Sequence, residues 1–261
     1  MRKFLATLIA WALLSSAPAF AGAIALISGT GSNGAQSNLT FNAGTSLTLN
    51  FTSSVPSGSA VVVFMSNNSS GTVTGGFSCT DTQSNTYTNK GFVQGNAAAA
   101  VQTNWSLTTH PLTSSDSVTC TQSSGASGIT GQHAAFSNVN NLSTTNNYAG
   151  NATTSTVTSL STGSTGTLQC ATGTTGCELI VCNSVWRNSG TMAVDAGFIT
   201  LSAGSSTVWG TGYKIQANNT AVSCTNTNTT ADRAAIEVVA FNSNSSGAAT
   251  APKRSLLGVG Q

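Results

Sequence analysis

The chain has 261 residues, only 5% of them charged, and a formal net charge of +2 at pH 7. Phosphate groups are bound by clustered Lys and Arg, so this composition excludes nucleic acid and anionic membrane as expected partners. It also leaves few of the side chains that perform acid, base or metal chemistry. We therefore expect a binding or structural protein before an enzyme.

The N-terminus has the three parts of a secretory signal peptide. Met1–Lys3 is basic, Phe4–Leu14 is apolar, and Ala19–Ala21 is a small-x-small cleavage site. We predict that residues 1–21 are removed, and the apolar stretch is too short to remain as a membrane span. Loss of the two basic residues in this segment leaves six basic and six acidic side chains. The mature protein is expected to be secreted or held at the cell surface, with zero net charge.

Short β-branched and apolar runs, separated by Gly, Asn and Ser clusters, recur after the signal peptide. They are Ala23–Ile27, Ser46–Phe51, Ala60–Met65, Ser117–Cys120, Glu178–Cys182 and Ala234–Phe241. Runs of this length and spacing predict an all-β protein, here an antiparallel β-sandwich of the jelly-roll kind. We expect one sandwich domain over residues 22–244, followed by a flexible tail over residues 245–261.

Two parts of this domain are weakly similar to each other. The strand around Trp105 resembles the strand around Tyr213, and Ala134–Ser137 resembles Val239–Asn242. The similar elements follow the same order, which predicts an internal repeat. Since a four-stranded unit alone would expose its inner face, each half is expected to supply one half of the sandwich.

A longer succession of motifs points to a known group of proteins. The turn Thr80–Thr88 has the pattern Thr-Asp-x-x-x-Asn-x-Tyr-Thr, and Trp105 and the Val-Thr-Cys-Thr strand Val118–Thr121 follow it. Over roughly Ser59–Asn242, this order resembles jelly-roll-like β-sandwich domains of bacterial secreted proteins and of phage tail or fibre proteins. The resemblance implies a sandwich located at a surface. It supplies no catalytic residues.

All six cysteines lie in the exported part of the chain. An even number in an oxidising compartment predicts disulfides, and zinc is disfavoured because no His follows the cysteine cluster. Cys120 and Cys224 hold equivalent positions in the two halves, so they are not expected to bond each other. The predicted pairs are Cys79–Cys120, Cys170–Cys177 and Cys182–Cys224.

No catalytic group is predicted. Gly29–Gly34 matches a dinucleotide-binding fingerprint, but no helical pattern follows it, so no nucleotide cofactor is expected. His110 and His133 lack a positioned partner and are interpreted as surface or turn residues. Glu178 and Glu237 lie inside strand runs, and we expect both to point to solvent. No metal site is predicted.

Aromatic side chains are the remaining candidates for a binding site. Trp186, Arg187 and Asn188 precede a Gly turn and are predicted to be at least partly exposed. Trp209 is a further candidate, because flat aromatic rings bind the apolar faces of sugars. Trp105 occupies the repeated strand position and is predicted to be buried.

The leading functional hypothesis is a secreted, non-enzymatic surface protein that binds glycan or another extracellular component. The alternative is a subunit of a fibre or layer that self-associates by strand addition, with Ala23–Ile27 as the added strand. An extracellular hydrolase is a third, weaker hypothesis. Asp81 lies in a polar turn, where it can cap backbone donors or contribute to a calcium site, and both interpretations remain open.

Overall fold

The computed structural model describes residues 23–68, 73–95, 99–124, 128–142, 147–170, 176–188, 190–202 and 208–243. The predicted signal peptide and C-terminal tail lie outside these ranges. In the described part, helical structure is limited to one 3₁₀ turn, Ser32–Gly34, which agrees with the all-β prediction. No helix there is long and apolar enough to cross a membrane.

The described residues form sixteen strands. They are β1 Ala25–Ile27, β2 Thr40–Asn42, β3 Ser46–Asn50, β4 Ala60–Asn67, β5 Thr74–Asp81, β6 Thr88–Gly95, β7 Ala99–Leu107, β8 Ser117–Ser124, β9 Ile129–Ser137, β10 Val139–Leu142, β11 Tyr148–Ser161, β12 Glu178–Trp186, β13 Met192–Ala193, β14 Ile199–Ser202, β15 Trp209–Gln216 and β16 Thr225–Ser243.

These strands build three sheets in which the paired strands are antiparallel. The first-half sheet has the order β1-β9-β4-β7-β6, with β2 also on β9. The second-half sheet has the order β10-β16-β12-β15-β14, with β11 and β13 also on β16. The small sheet has the order β3-β8-β5. The predicted antiparallel sandwich architecture is confirmed.

The first-half and second-half sheets pack face to face along an apolar layer, here called the seam. Its members come from both sheets and include Val62, Phe64, Trp105 and Phe136 on one side and Val181, Tyr213, Val239 and Phe241 on the other. The central strands β4 and β12 are buried along their whole length. Their continuous apolar runs therefore reflect burial on both faces, as expected for strands between two layers.

Each half also has a core of its own. The back of the first-half sheet packs on the small sheet, with Val61 and Val63 meeting Leu47 and Leu49. The back of the second-half sheet packs under irregular segments that contribute residues such as Leu168 and Val222. Each half thus supplies one of the two sheets that meet at the seam, and it adds an outer layer to the back of its own sheet.

The pairing registers agree with the repeat seen in the sequence. Trp105 lies opposite Val62 on the neighbouring strand, and Tyr213 lies opposite Val181 in the same way. The strand orders of the two large sheets match as well, with β9, β4 and β7 in the places of β16, β12 and β15. Trp105 and Tyr213 are thus equivalent core residues of the two halves, and the predicted burial of Trp105 is confirmed.

Equivalent residues meet crosswise at the seam. The Trp105 and Phe241 rings pack edge to face with centroids 5.5 Å apart, and the Phe136 and Tyr213 rings do the same at 5.2 Å. Because Trp105 is equivalent to Tyr213 and Phe136 to Phe241, the two contacts are related by an approximate two-fold axis. This reciprocity is the pattern of an isologous interface, here formed within one chain.

All three predicted disulfides are present. Cys79 and Cys120 face each other on β5 and β8, with Cα atoms 4.1 Å apart. The other two pairs, Cys170–Cys177 and Cys182–Cys224, have Cα separations of 5.5 and 6.2 Å. Three disulfides agree with an extracellular location.

The disulfides should differ in their effect on stability. Replacing Cys182 and Cys224 together by Ala opens a loop of 42 residues, and the loop-entropy relation gives a loss of roughly 4 kcal/mol in the free energy of unfolding. The same change at Cys170 and Cys177 opens a 7-residue loop and should cost roughly 2.5 kcal/mol. Denaturant unfolding of both variants measures this. Equal losses would contradict the account.

Candidate functional site

The two tryptophans predicted to form a binding surface are buried. Trp186 is 0% exposed, and its indole N–H donates to the Val157 carbonyl at 3.0 Å. Trp209 is 1% exposed, and its indole N–H donates to Asn183 Oδ1 at 2.6 Å. The prediction of exposure for Trp186 is wrong because its ring packs in the core of the second half with residues such as Met192 and Phe198.

The neighbours of Trp186 do not make a site without it. Asn188 is exposed, and Arg187 is half-buried, with its backbone N–H donating to the Arg233 carbonyl at 3.1 Å. The structure does not bring either side chain to Trp209, which points into the seam. A glycan site built on these four residues would therefore lack its flat aromatic surface.

The partly exposed tyrosines have other partners. The Tyr87 hydroxyl donates to Asp81 at 3.2 Å. The Tyr148 ring lies directly against the backbone of Gly91, and the Lys90 ammonium stands 6.0 Å from its centroid. Phe41 is 62% exposed on β2 and was not predicted from the sequence. One exposed ring is common on protein surfaces and defines no site by itself.

The glutamates on β12 and β16 lie in the interior of the protein, so the prediction that they point to solvent is wrong. Glu178 and Glu237 are each 0% exposed. The reason is that both faces of β12 and β16 are covered, so alternation along the strand offers no wet face. Burial raises the pKa of Glu178 to about 7 and that of Glu237 to about 8.

These glutamates cannot act together as a pair of catalytic carboxyls. Glu237 faces the seam, where Thr103 donates to it at 2.6 Å. Glu178 accepts from the backbone N–H of Gln169 at 3.0 Å, and it shares its face of β12 with Ile180, which belongs to the opposite core. The two carboxyls lie on different sides of one sheet, which gives no support to glycoside hydrolysis.

The histidines also lack the setting of a catalytic base. His133 is fully buried, with its ring edge-to-face on Phe51 at 4.4 Å, and neither ring nitrogen has a hydrogen-bond partner in the described structure. Burial lowers its pKa to about 3, so the ring is neutral at pH 7. The interpretation of His133 as a surface residue is therefore wrong. His110 is exposed, as expected.

The turn at Asp81 has a structural explanation. The Asp81 carboxylate accepts hydrogen bonds from the backbone N–H groups of Gln83 and Asn85, and from the Asn85 amide and the Tyr87 hydroxyl. The Asp116 carboxylate nearby also accepts four hydrogen bonds, from Thr82, Gln83 and Thr113. The bonds from Thr82 and Gln83 lower its pKa to about 2. Both carboxylates are occupied in holding the turn, an arrangement that favours the capping interpretation over calcium.

The outer side of the small sheet carries a regular surface of uncharged polar side chains, here called the hydroxyl face. Its members are Ser46, Thr48, Asn50, Ser78, Thr80, Thr82, Ser117, Thr119 and Thr121. The registers align them in rows across the strands, for example Thr48 beside Thr119 and Thr119 beside Thr80. Neighbours are spaced about 4.8 Å across the strands and about 6.8 Å along them.

The hydroxyl face is held in place from both sides. On the surface, the hydroxyls of Thr48 and Thr119 are 2.9 Å apart, and those of Ser46 and Thr121 are 3.3 Å apart. Beneath it, alternate residues of the same strands enter the core of the first half, and the Cys79–Cys120 disulfide joins two of the three strands. Cross-strand pairs and this backing fix the side chains before any ligand arrives.

The sheet edges bear on the strand-addition hypothesis. Strand β1, the proposed donor, already pairs with β9 of its own chain. At the β14 edge, the Asn33 amide donates to the Thr200 carbonyl at 2.7 Å. At the β6 edge, Gly95 lies close to the Thr153 carbonyl of β11. In the described structure, β1 and these points on the β14 and β6 edges therefore have neighbours within the chain.

Comparisons with known proteins add little to this description. No protein-family model matches the chain, and no curated protein matches it. A solved structure with some similarity is that of a conserved protein of unknown function from Pseudomonas aeruginosa PAO1. It has a TM-score of 0.25 and 11% sequence identity over 84% of this chain and 89% of that one. A similarity of this size supports no conclusion on fold or function.

Removing the Trp186 side chain tests its reassignment to the core. Trp186→Ala should lower the free energy of unfolding by about 3–5 kcal/mol, because it empties a large buried volume and leaves the Val157 carbonyl without its donor. Chemical denaturation measures this, with Asn188→Ala as the exposed control, expected to change stability by less than about 0.5 kcal/mol. Matching stabilities for the two variants would show that Trp186 is a surface residue.

Proposed function

We propose that this is a secreted, non-enzymatic protein that attaches through its hydroxyl face to an uncharged, hydroxyl-bearing surface polymer, a polysaccharide. The observation that carries the proposal is the hydroxyl face itself, which has seven Ser or Thr side chains and one Asn on three paired strands, with Thr82 beside Ser117 in the turn after β5. It replaces the aromatic surface that the sequence predicts around Trp186. No catalytic group is required.

The chemistry of the face suits a polysaccharide. Ser and Thr hydroxyls can both donate and accept, and Asn50 adds two donors and an acceptor. Sugar hydroxyls have the same dual character, so each can pair with members of the face. The face carries no charged side chain, so it offers nothing to an anionic polymer beyond these hydrogen bonds.

The rigidity of the face favours binding. The cross-strand hydroxyl contacts and the disulfide beneath them reduce the conformational entropy that binding would otherwise remove. Each hydrogen bond to a sugar replaces one to water, so its net contribution is only about 0.5–1.5 kcal/mol. Several rows must therefore bind together, which favours an extended polymer over a single sugar.

Charged substitutions on the face test the proposal. The double variant Thr48→Lys, Thr80→Lys places two ammonium groups at the ends of the central row, on either side of Thr119, and both positions are exposed. Co-sedimentation of the mature protein with insoluble chitin and with cellulose, two uncharged polysaccharides, measures binding. We expect at least one of these polymers to bind the unmodified protein and the variant to bind roughly tenfold more weakly.

The double variant Thr156→Lys, Thr158→Lys is the control matched in charge, since both threonines are exposed on β11, away from the hydroxyl face. It should bind like the unmodified protein. Equal loss in both variants would point to a general effect of added charge, and unchanged binding in the hydroxyl-face variant would place the contact elsewhere. A protein that sediments with none of the polymers would contradict the proposed function.

A further inference from the structure

Two equivalent hydrogen bonds cross the seam. The Thr103 hydroxyl donates to Glu237 Oε1 at 2.6 Å, and the Thr211 hydroxyl donates to Gln132 Oε1 at 3.0 Å. Thr103 and Thr211 each lie two residues before the equivalent residues Trp105 and Tyr213. Glu237 and Gln132 each lie four residues before Phe241 and Phe136. The approximate two-fold axis therefore relates the two bonds, and all four polar side chains are buried.

The two bonds differ in one respect, since a carboxyl stands in one half where an amide stands in the other. Gln132 is uncharged at every pH, whereas Glu237 can lose a proton. We propose that Glu237 is a pH-sensitive latch between the two halves: the seam is closed when Glu237 is protonated and loosened when it is ionised, because ionisation leaves a negative charge buried between the sheets. The Thr103 hydroxyl can donate to either form of the carboxyl. This inference concerns the seam and does not depend on the ligand of the hydroxyl face.

The surroundings of Glu237 offer a negative charge only uncharged hydrogen-bond donors, which offset part of the cost of burial. Its Oε2 atom has no hydrogen-bond partner in the described structure. The other carboxyl oxygen, Oε1, accepts from the Thr103 hydroxyl on β7 and from the Asn183 amide on β12, the latter at 3.5 Å. That amide also donates to the Met65 carbonyl of β4 at 3.2 Å, so it is shared. Neither contact is charged.

The titratable neighbour is on β11. Tyr148 lies beside Gly150, the register partner of Glu237. Burial, and after it the nearby glutamate, raises the pKa of the Tyr148 hydroxyl, so this tyrosine stays neutral. Lys90 on β6 places its ammonium over the Tyr148 ring. In the part of the chain that the structure describes, no cation contacts Glu237. An ionised carboxyl there would be a buried, unpaired charge.

The direction of the pH effect follows from burial. The pKa of Glu237 is about 8 in the folded protein, against an ordinary value of 4.5. Between these values the folded protein keeps a proton that the unfolded chain has released, so stability falls as pH rises through this range. The unfolding equilibrium constant should rise roughly a thousandfold from this group alone. Above about pH 8 the Glu237 carboxyl is mostly ionised.

Three forms of the mature protein test the latch. They are the unmodified protein, Glu237→Gln, which copies the residue at the equivalent position, and Glu178→Gln, which removes a second buried carboxyl outside the seam. Unfolding midpoints in urea are measured at pH 5, 7 and 9. Between pH 5 and pH 7 both glutamates contribute to the fall, because the pKa of Glu178 is raised to about 7 as well. Between pH 7 and pH 9 the midpoint should fall in the unmodified protein and in Glu178→Gln, and it should fall much less in Glu237→Gln.

A second measurement separates opening of the seam from a general loss of stability. Hydroxyl-radical footprinting without denaturant should show increased modification of Trp105 and Trp209 at pH 9 relative to pH 6, with Trp186 unchanged. Glu237→Gln should abolish the increase. The latch is overturned if Trp105 and Trp209 stay protected at pH 9, or if Glu237→Gln keeps the full pH response.

The reverse substitution keeps the test decisive should Glu237→Gln fail to fold. Gln132→Glu places a carboxyl in the second equivalent position and should make the fall in the urea midpoint between pH 5 and pH 9 steeper. A slope identical to that of the unmodified protein would contradict the proposal.

Discussion

The packing of the two large sheets against each other is the contact on which the rest of this structure depends. Strands β4 and β12 run through its centre, and each is covered on its second face by an outer layer of its own half. With almost no charge on the chain, apolar burial on both faces of these strands is the main source of stability. The seam therefore fixes the first-half sheet, and the small sheet with its hydroxyl face packs on the back of that sheet.

Much of this architecture can be predicted from local features of the sequence. Short apolar runs between Gly and Asn clusters predict the antiparallel strands. The equivalence of Trp105 with Tyr213 predicts that both are core residues. Pairing the cysteines within each half, with Cys120 and Cys224 as equivalent positions, predicts all three disulfides. These inferences succeed because strand periodicity and the order of the repeated elements can be read from short segments of the sequence.

What fails depends on contacts distant in sequence. Alternation along a strand says which residues of that strand share a face, but not whether both faces are covered. The burial of Trp186 and of Glu237 is therefore not predicted from the sequence. The alternation in Ser46–Asn50 marks a strand with one polar face. Its alignment with the hydroxyl residues of β8 and β5, some seventy and thirty residues away, appears only once the sheet is formed. The hydroxyl face is therefore a property of the fold, and no single segment predicts it.

The crosswise ring contacts at the seam, Trp105 with Phe241 and Phe136 with Tyr213, are the central claim of this account. Nuclear Overhauser effects between aromatic protons of the mature protein test them most directly. The account predicts effects within both pairs, because centroids 5.5 and 5.2 Å apart bring ring protons well within range. Absence of both effects in the folded protein, with effects within each half retained, would contradict the face-to-face packing of the two halves.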